Sequence, residues 1–139
     1  MNAAAKRIHV VVGVIYNPSK QQVLIARRPA HLHQGGLWEF PGGKVASGES
    51  PEQALKRELR EELAIEVSDC APLLLTEHDY SDKLIVLDVW TVHGFAGQAK
   101  GNEGQDICWV DINALNNYPF PAANYAVLEK VVANSQSWL

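Results

Sequence analysis

Cysteine is scarce in this chain, and positive charge is outnumbered by negative. Cys70 and Cys108 are the two cysteines among 139 residues. Neither sits in a CxxC or Cys/His spacing, so a disulfide scaffold or a zinc site is excluded. The thiols read as reduced, as in a cytoplasmic protein. Lys and Arg total 12 against 16 Asp and Glu, a net charge of −4. With no basic excess to neutralise a phosphate backbone, a nucleic-acid polymer is not the expected partner. No apolar run nears the roughly eighteen residues of a membrane span, so no membrane is expected. Lys6-Arg7 before VVVGVIY has the outline of a secretion signal. The run is short, Gly13 and Tyr16 interrupt it, and no small-residue cleavage site follows, so it reads as a strand. Repeats, linkers and low-complexity tracts are missing too. Residues 1–139 therefore read as one domain, with 47% hydrophobic and 20% charged residues, large enough to bury roughly two-thirds of its unfolded surface.

Residues 7–16 (RIHVVVGVIY) are β-branched and nearly continuous, as in a strand buried on both faces. Asn17-Pro18-Ser19 turns the chain into 22–28 (QVLIARR), the second strand of an expected hairpin. Residues 29–36 read as a loop and 37–43 (LWEFPGG) as a short strand. Two long strands follow at 72–80 and 83–94, joined as an antiparallel hairpin through Ser81-Asp82. A Gly-rich loop at 95–105, a strand at 107–110, a helical turn capped by Asp111 and a helix from Ala123 to Ser135 complete the chain. Strands around one central helix, with another at the end, suggest an α/β fold with helices on both sides of a mixed sheet.

The central helix is the best-marked element. Ser50 is an N-cap, Pro51 suits the first helical position, and Gln53 completes a capping box. Leu55, Leu59 and Leu63 form one apolar stripe. Glu58, Glu61 and Glu62, at i, i+3 and i+4, crowd their carboxylates on another face. In water each like-charged pair costs only about 0.2–0.5 kcal/mol, and Arg57 and Arg60 can offset it. In a cleft, two charges about 5 Å apart repel by about 3 kcal/mol at an effective dielectric near 20. Such a site either keeps a proton or holds a hard divalent cation.

Spacing decides between a solvated face and a site. Gly43 is followed after five residues by Glu49, after seven more by Arg57, and then by Glu58, Leu59, Arg60, Glu61, Glu62, Leu63, Ala64 and Ile65. This resembles the Nudix signature G-x5-E-x7-R-E-U-x-E-E-x-G-U, where U is bulky and apolar. Its six identities arise by chance about once in ten million windows. One position departs, because Ala64 stands where the family has Gly. Keeping a left-handed helix exit with Ala costs on the order of 1 kcal/mol.

The resemblance implies an α/β/α Nudix sandwich with the mixed β-sheet between helices. It also implies a Mg²⁺-dependent pyrophosphohydrolase, with Mn²⁺ as a substitute, that cuts a nucleoside triphosphate into nucleoside monophosphate and pyrophosphate. Glu58, Glu61 and Glu62 take the place of the metal-binding acids, with the backbone at Gly42 as a further ligand. Glu49 and Arg57 take the place of the pair that ties loop to helix. Gly43, like Gly42, admits close approach to the backbone. The triplet Glu103-Gly104-Gln105 resembles the MutT-like branch, in which this Glu joins the metal cluster. Glu103 is thus a further ligand or the water-activating base, with Glu58 the competitor for that catalytic role and Glu61 beside them.

In the same branch the Asn of FPxAN, here Asn124, reads the base; its other reading is a helix cap. Arg28 and Lys83 match basic positions near the nucleotide, or are strand-end charges. Glu39, Phe40 and Lys44 complete the expected substrate contacts, with Phe40 and Trp38 as core or pocket wall. Histidines 9, 31, 33, 78 and 93 read as structural. The substrate implied is 8-oxo-dGTP, the role nucleotide-pool sanitation, the state a monomer or dimer. Two alternatives stay open: hydrolysis of CTP or modified pyrimidine triphosphates, and a non-catalytic nucleotide sensor on the same fold.

Overall fold

The structure is a computed structural model that describes residues 6–32 and 35–136. His33 and the rest of the expected loop's centre lie outside the described residues, as do both chain ends. Seven strands are present: β1 (Lys6–Ile15), β2 (Gln22–Arg27), β3 (Trp38–Glu39), β4 (Gly42–Lys44), β5 (Glu66–Asp79), β6 (Lys83–Ala96) and β7 (Ile107–Asp111). The helices are α1 (Pro51–Leu63) and α2 (Tyr125–Gln136), with 3-10 turns at Ile112–Asn117 and Ala122–Asn124. Among the described residues no helix is long and apolar enough to cross a membrane.

β1 organises the layers. It pairs in parallel with β6 and antiparallel with β4, giving a four-stranded mixed sheet in the order β4-β1-β6-β5. Its side chains alternate between two cores, as a strand buried on both faces requires. Val11 and Ile15 pack with Leu55, Leu59 and Leu63 of α1. Val12, Val14 and Tyr16 pack on the other face with Val127, Leu128 and Val131 of α2. Burying each α1 leucine stabilises by roughly 1.5–3 kcal/mol. Gly13 lets the helix come close, since a Cβ there would lie 3.2 Å from a Leu59 methyl and 3.3 Å from one of Leu55.

Four expectations change. β2 does not form a hairpin ladder with β1, to which a single bridge, Tyr16 to Val23, links it. It belongs to a second, antiparallel sheet in the order β3-β2-β7. The reason is that β4 and β6 already occupy the two edges of β1. The strand expected at 72–80 begins six residues earlier, at Glu66. Half of those residues are polar, and they lie on the sheet edge, where one side of the backbone faces solvent and a regular apolar pattern is not needed. Pro72 sits at a register shift of this edge strand, a place that tolerates a missing N–H. The loop expected to end at 105 runs on to Asp106, and Asp111 precedes its 3-10 turn without a side-chain cap bond.

α1 forms as its sequence dictates. Gln53 N–H donates to Ser50 Oγ at 3.1 Å, and Ser50 N–H donates to Gln53 Oε1 at 2.9 Å. The helix ends at Ala64, which keeps the left-handed conformation (φ 60°, ψ 35°) normally given to glycine. Ala64→Gly is therefore expected to stabilise the protein by up to about 1 kcal/mol, the left-handed strain less the entropy glycine adds to the unfolded chain. Urea unfolding reads the shift, and an unchanged or lower midpoint would contradict it.

Candidate active site

Three pieces of chain meet at one cleft: the β3–β4 segment, α1, and the loop from β6 to β7. The glycines come first. A Cβ on Gly43 would land on the Glu58 carboxyl, and one on Gly42 would land on the Val11 carbonyl. Glycine at 43 lets the Glu58 carboxylate lie against the strand, and glycine at 42 lets that strand pack against the backbone of β1. Gly42 N–H donates to Glu62 Oε2 at 3.2 Å.

Arg57 ties this contact to the loop before the helix. Its Nε and Nη2 clasp both oxygens of Glu49, at 2.6 and 2.9 Å. Nη1 donates to Glu58 Oε1 at 3.0 Å and to Glu61 Oε2 at 3.2 Å, and Nη2 also donates to the Lys44 carbonyl at 3.1 Å. The bond from Arg57 pulls the Glu49 carboxyl down to about 2. Its own guanidinium is driven further up, chiefly by Glu49. Two parallel bonds to one carboxylate fix an angle as well as a distance, so the loop and α1 move as one.

The acids behave as a crowded set. Burial pushes Glu62 up to about 8, and the charges of Glu58, Glu103 and Glu39 add to it. Glu58 is also raised, by burial first, with Arg57 opposing and Glu61 and Glu103 reinforcing. Glu39 is raised by burial against the pull of Arg28, whose Nη1 donates to its Oε1 at 3.0 Å.

The cleft encloses about 400 Å³ and is lined by Arg28, Glu39, Phe40, Gly42, Gly43, Lys44, Glu62, Glu103 and Asn124, among others. Its apolar part comes from Val10, Val12 and Leu87 on the α2 side of the sheet. Phe40 is both wall and core, buried and stacked on Phe120 with centroids 5.5 Å apart. Trp38 meets Tyr118 edge to face rather than lining the cleft. Asn124 is 9% exposed. Its backbone N–H bonds Pro121, and no cap bond or other side-chain hydrogen bond is present among the described residues.

Not every expected residue is brought in. Lys83 stands on the first rung of the β1–β6 ladder, opposite Lys6. It is four residues from Leu87, about 13 Å of strand, and does not line the cleft. Glu61 turns outward to Arg57, with its side chain 53% exposed. Among the described residues no three acidic, histidine or cysteine side chains are drawn together at metal-ligating separations. Mutual repulsion and the pull of Arg57 account for that spread. Several cleft residues carry no motif of their own, among them Leu32, in the loop after β2, and Val10, Val12 and Leu87, whose strand alternation is their signal. Gln105, inside the Glu103 triplet, also lines the cleft. Of the histidines, His9 bonds Asp88 at 2.9 Å, His93 stacks on Tyr16, His78 lies against Tyr80, and His31 sits in the exposed loop near Arg28.

A profile of the NUDIX domain matches residues 11–130. The chain belongs to the Nudix family. This Nudix protein is 38% identical over 126 residues to the 8-oxo-dGTP diphosphatase of Escherichia coli K12, covering 91% of this chain and 97% of that one. It is 40% identical over 128 residues to the CTP pyrophosphohydrolase of the same organism, covering 92% and 93%. A structure from work on MutT of Aliivibrio salmonicida and Vibrio cholerae superposes with a TM-score of 0.82 at 45% identity, covering 93% of this chain and 99% of that one. The E. coli ORF135 protein superposes with 0.84 at 37% identity, covering 96% and 94%. The fold is accordingly the Nudix fold of the MutT proteins, and the chain is a hydrolase of small nucleotides.

Nudix hydrolases generally use a divalent metal, and the donor set here fits one. The cleft offers hard oxygen ligands, and among the described residues Glu62, the acid at its centre, has only a backbone N–H for a hydrogen-bond partner. Its carboxylate becomes comfortable when a cation takes the place of its proton.

The same crowding gives a pH dependence. In the unfolded chain Glu62 titrates near the ordinary glutamate value of 4.5, in the folded metal-free chain at about 8. The native state binds the extra proton between these values, so stability should fall as pH rises through that window and level off above it. Urea midpoints of metal-free protein at pH 5 and pH 8 read this, and Glu62→Gln should flatten the difference. Equal wild-type midpoints would contradict it.

Proposed function

We propose that this protein is a Mg²⁺-dependent nucleoside triphosphate pyrophosphohydrolase, with Mn²⁺ as a substitute, whose preferred substrate is 8-oxo-dGTP. Water attacks the β-phosphorus, the bond to the α–β bridging oxygen breaks, and nucleoside monophosphate and pyrophosphate leave. Glu58, Glu61, Glu62 and Glu103, with the backbone at Gly42, would hold the cation. That cation supplies charge neutralisation at the phosphates and makes the attacking water more acidic. Arg57 holds Glu58 and Glu61 on one anchored fork, so Glu61 needs only a side-chain rotation to join its neighbours. Glu103, which has no counter-ion among the described residues, takes the proton of the water; Glu58 shares its charge with Arg57 and is the weaker acceptor. Lys44 and Arg28 offer positive charge at the cleft for the phosphate chain. Positioning and electrostatics carry the rate.

The observation that carries the substrate assignment is the carboxamide of Asn124, a residue 9% exposed that lines the cleft and makes no side-chain hydrogen bond among the described residues. It holds one donor end and one acceptor end. An oxidised guanine presents a carbonyl at C6 beside a protonated N7, whereas guanine presents acceptors at both. A donor and an acceptor aimed at that edge would suit the first and leave an unfavourable contact with the second. The relative that hydrolyses CTP, at 40% identity, supports a second reading in which a pyrimidine is preferred. A sensor that binds without turnover is disfavoured by the retained acids. The expected setting is the cytoplasm, with a monomer or dimer acting on free nucleotides.

Kinetics on 8-oxo-dGTP, dGTP, CTP and 5-methyl-dCTP separate these readings. The highest kcat/KM is expected for 8-oxo-dGTP; a CTP preference would end the oxidised-guanine assignment, and no pyrophosphate from any of them would favour the sensor. Asn124→Ala should lower kcat/KM for 8-oxo-dGTP by about 10–100-fold, the worth of one or two buried hydrogen bonds, and affect other triphosphates far less. Equal losses would make Asn124 a structural residue. Glu62→Gln should lower kcat by on the order of 100-fold or more with the fold intact; near-wild-type turnover at saturating Mg²⁺ would remove its metal role.

A further inference from the structure

The last turn of α1 leaves its carbonyls without helical partners, and one loop takes them. Ala64 N–H bonds the Arg60 carbonyl at 3.0 Å. The next three carbonyls go to the loop before β7. Glu61 O accepts from Asn102 Nδ2 at 2.9 Å. Glu62 O accepts from Asn102 N–H at 2.9 Å and from Gln105 Nε2 at 3.1 Å. Leu63 O accepts from Lys100 N–H at 3.1 Å. This loop is therefore the C-terminal cap of the helix that bears Glu61 and Glu62, and it also carries Glu103.

Gln105 joins the two duties. While its Nε2 donates to Glu62 O, its Oε1 accepts from the backbone N–H of Glu103 at 2.9 Å. Each end of the carboxamide is fixed, because a carbonyl needs a donor and an N–H needs an acceptor. Gly104 N–H closes the turn onto Gly101 O at 3.0 Å, and a Cβ on Gly101 would strike the Gln105 carbonyl. The Glu103 carboxylate has no hydrogen bond of its own among the described residues. Its direction is set by its backbone, and its backbone is set by Gln105.

We propose that Gln105 is a positioning residue for the hydrolysis: its carboxamide ties the Glu103 backbone to the Glu62 carbonyl, holding both carboxylates toward one cleft at a set spacing. This rests on the reading above, in which Glu103 belongs to the acid set. Gln105 borders the cleft, but both ends of its carboxamide are already taken by backbone groups. A Glu in its place would aim an acceptor at the Glu62 carbonyl and add charge to a crowded site; a Met would fill the space and make neither bond.

The test is a double-mutant cycle of Gln105→Met and Glu103→Gln in the full chain, read by calorimetric Mn²⁺ affinity and by kcat and KM separately. Gln105→Met should weaken Mn²⁺ binding and lower kcat by about 10–100-fold, the usual effect of a residue that orients a ligand, with KM within about twofold. In the Glu103→Gln background it should add less than about twofold to either. Asn102→Ala, which removes the side-chain bond to the Glu61 carbonyl from the same cap but leaves the Gln105 bond to the Glu103 N–H in place, should cost less than Gln105→Met in both. Additive losses in the cycle, or wild-type Mn²⁺ affinity and kcat for Gln105→Met, would overturn the inference. Wild-type behaviour of Glu103→Gln would instead overturn the assignment of Glu103 and the inference with it. Should the Met variant fail to fold, Gln105→Asn carries the same comparison, since its amide is one methylene too short to span both partners.

Discussion

Repulsion among a few carboxylates is the constraint to which the rest of this molecule answers. Glu62, half-buried beside Glu58, Glu103 and Glu39, holds its proton to about 8. Two charges about 5 Å apart in such surroundings oppose each other by about 3 kcal/mol, a large fraction of the 5–15 kcal/mol that keeps a domain folded. The fold supports that concentration of charge through rigid parts: a helix nailed down by three leucines, a strand stripped to glycine where the acids lie, and an arginine fork. The same Gly43 that would collide with Glu58 if it had a side chain gives the acid a flat floor.

Arg57 and the Gln105 loop act at opposite ends of α1. At the N-terminal side, Arg57 binds Glu49 and so joins the helix to the Gly-rich turn. At the C-terminal side, Asn102 and Gln105 take the free carbonyls and bring Glu103 to the cleft. Helix ends must have their backbone groups satisfied whatever the function. Here that structural need is met by the loop that carries the acid facing Glu62, so capping the helix and assembling the cleft are one event. Ala64, strained where relatives of the signature carry glycine, keeps the exit that this loop requires.

Much of this was legible in the residues. The α1 boundaries followed from Ser50, Pro51 and Gln53 because capping is local chemistry, and the leucine stripe gave its buried face. The acids followed from fixed spacing. What stayed hidden depends on contacts far apart in sequence. β2 reads as a hairpin partner of β1 until the edges of β1 are seen to be taken. Residues 66–71 mix polar and apolar side chains without regular alternation and so do not announce a strand, since an edge position asks little of them. Lys83 matched a pattern yet lies about 13 Å of strand from the cleft, and Glu61 faces Arg57 rather than its two neighbours. Gln105 could be read as part of a triplet, but its double role exists only once α1 and the loop are side by side.

The most direct test is calorimetric titration of Mn²⁺ into metal-free protein at pH 7, repeated in buffers of different ionisation enthalpy. If a cation replaces the proton that crowding keeps on Glu62, the wild-type protein should release close to one proton per bound ion. Glu62→Gln should bind more weakly and release far less. Equal affinity and equal proton release in both would mean that the cation does not relieve the crowding at Glu62, and the account would fail at its base.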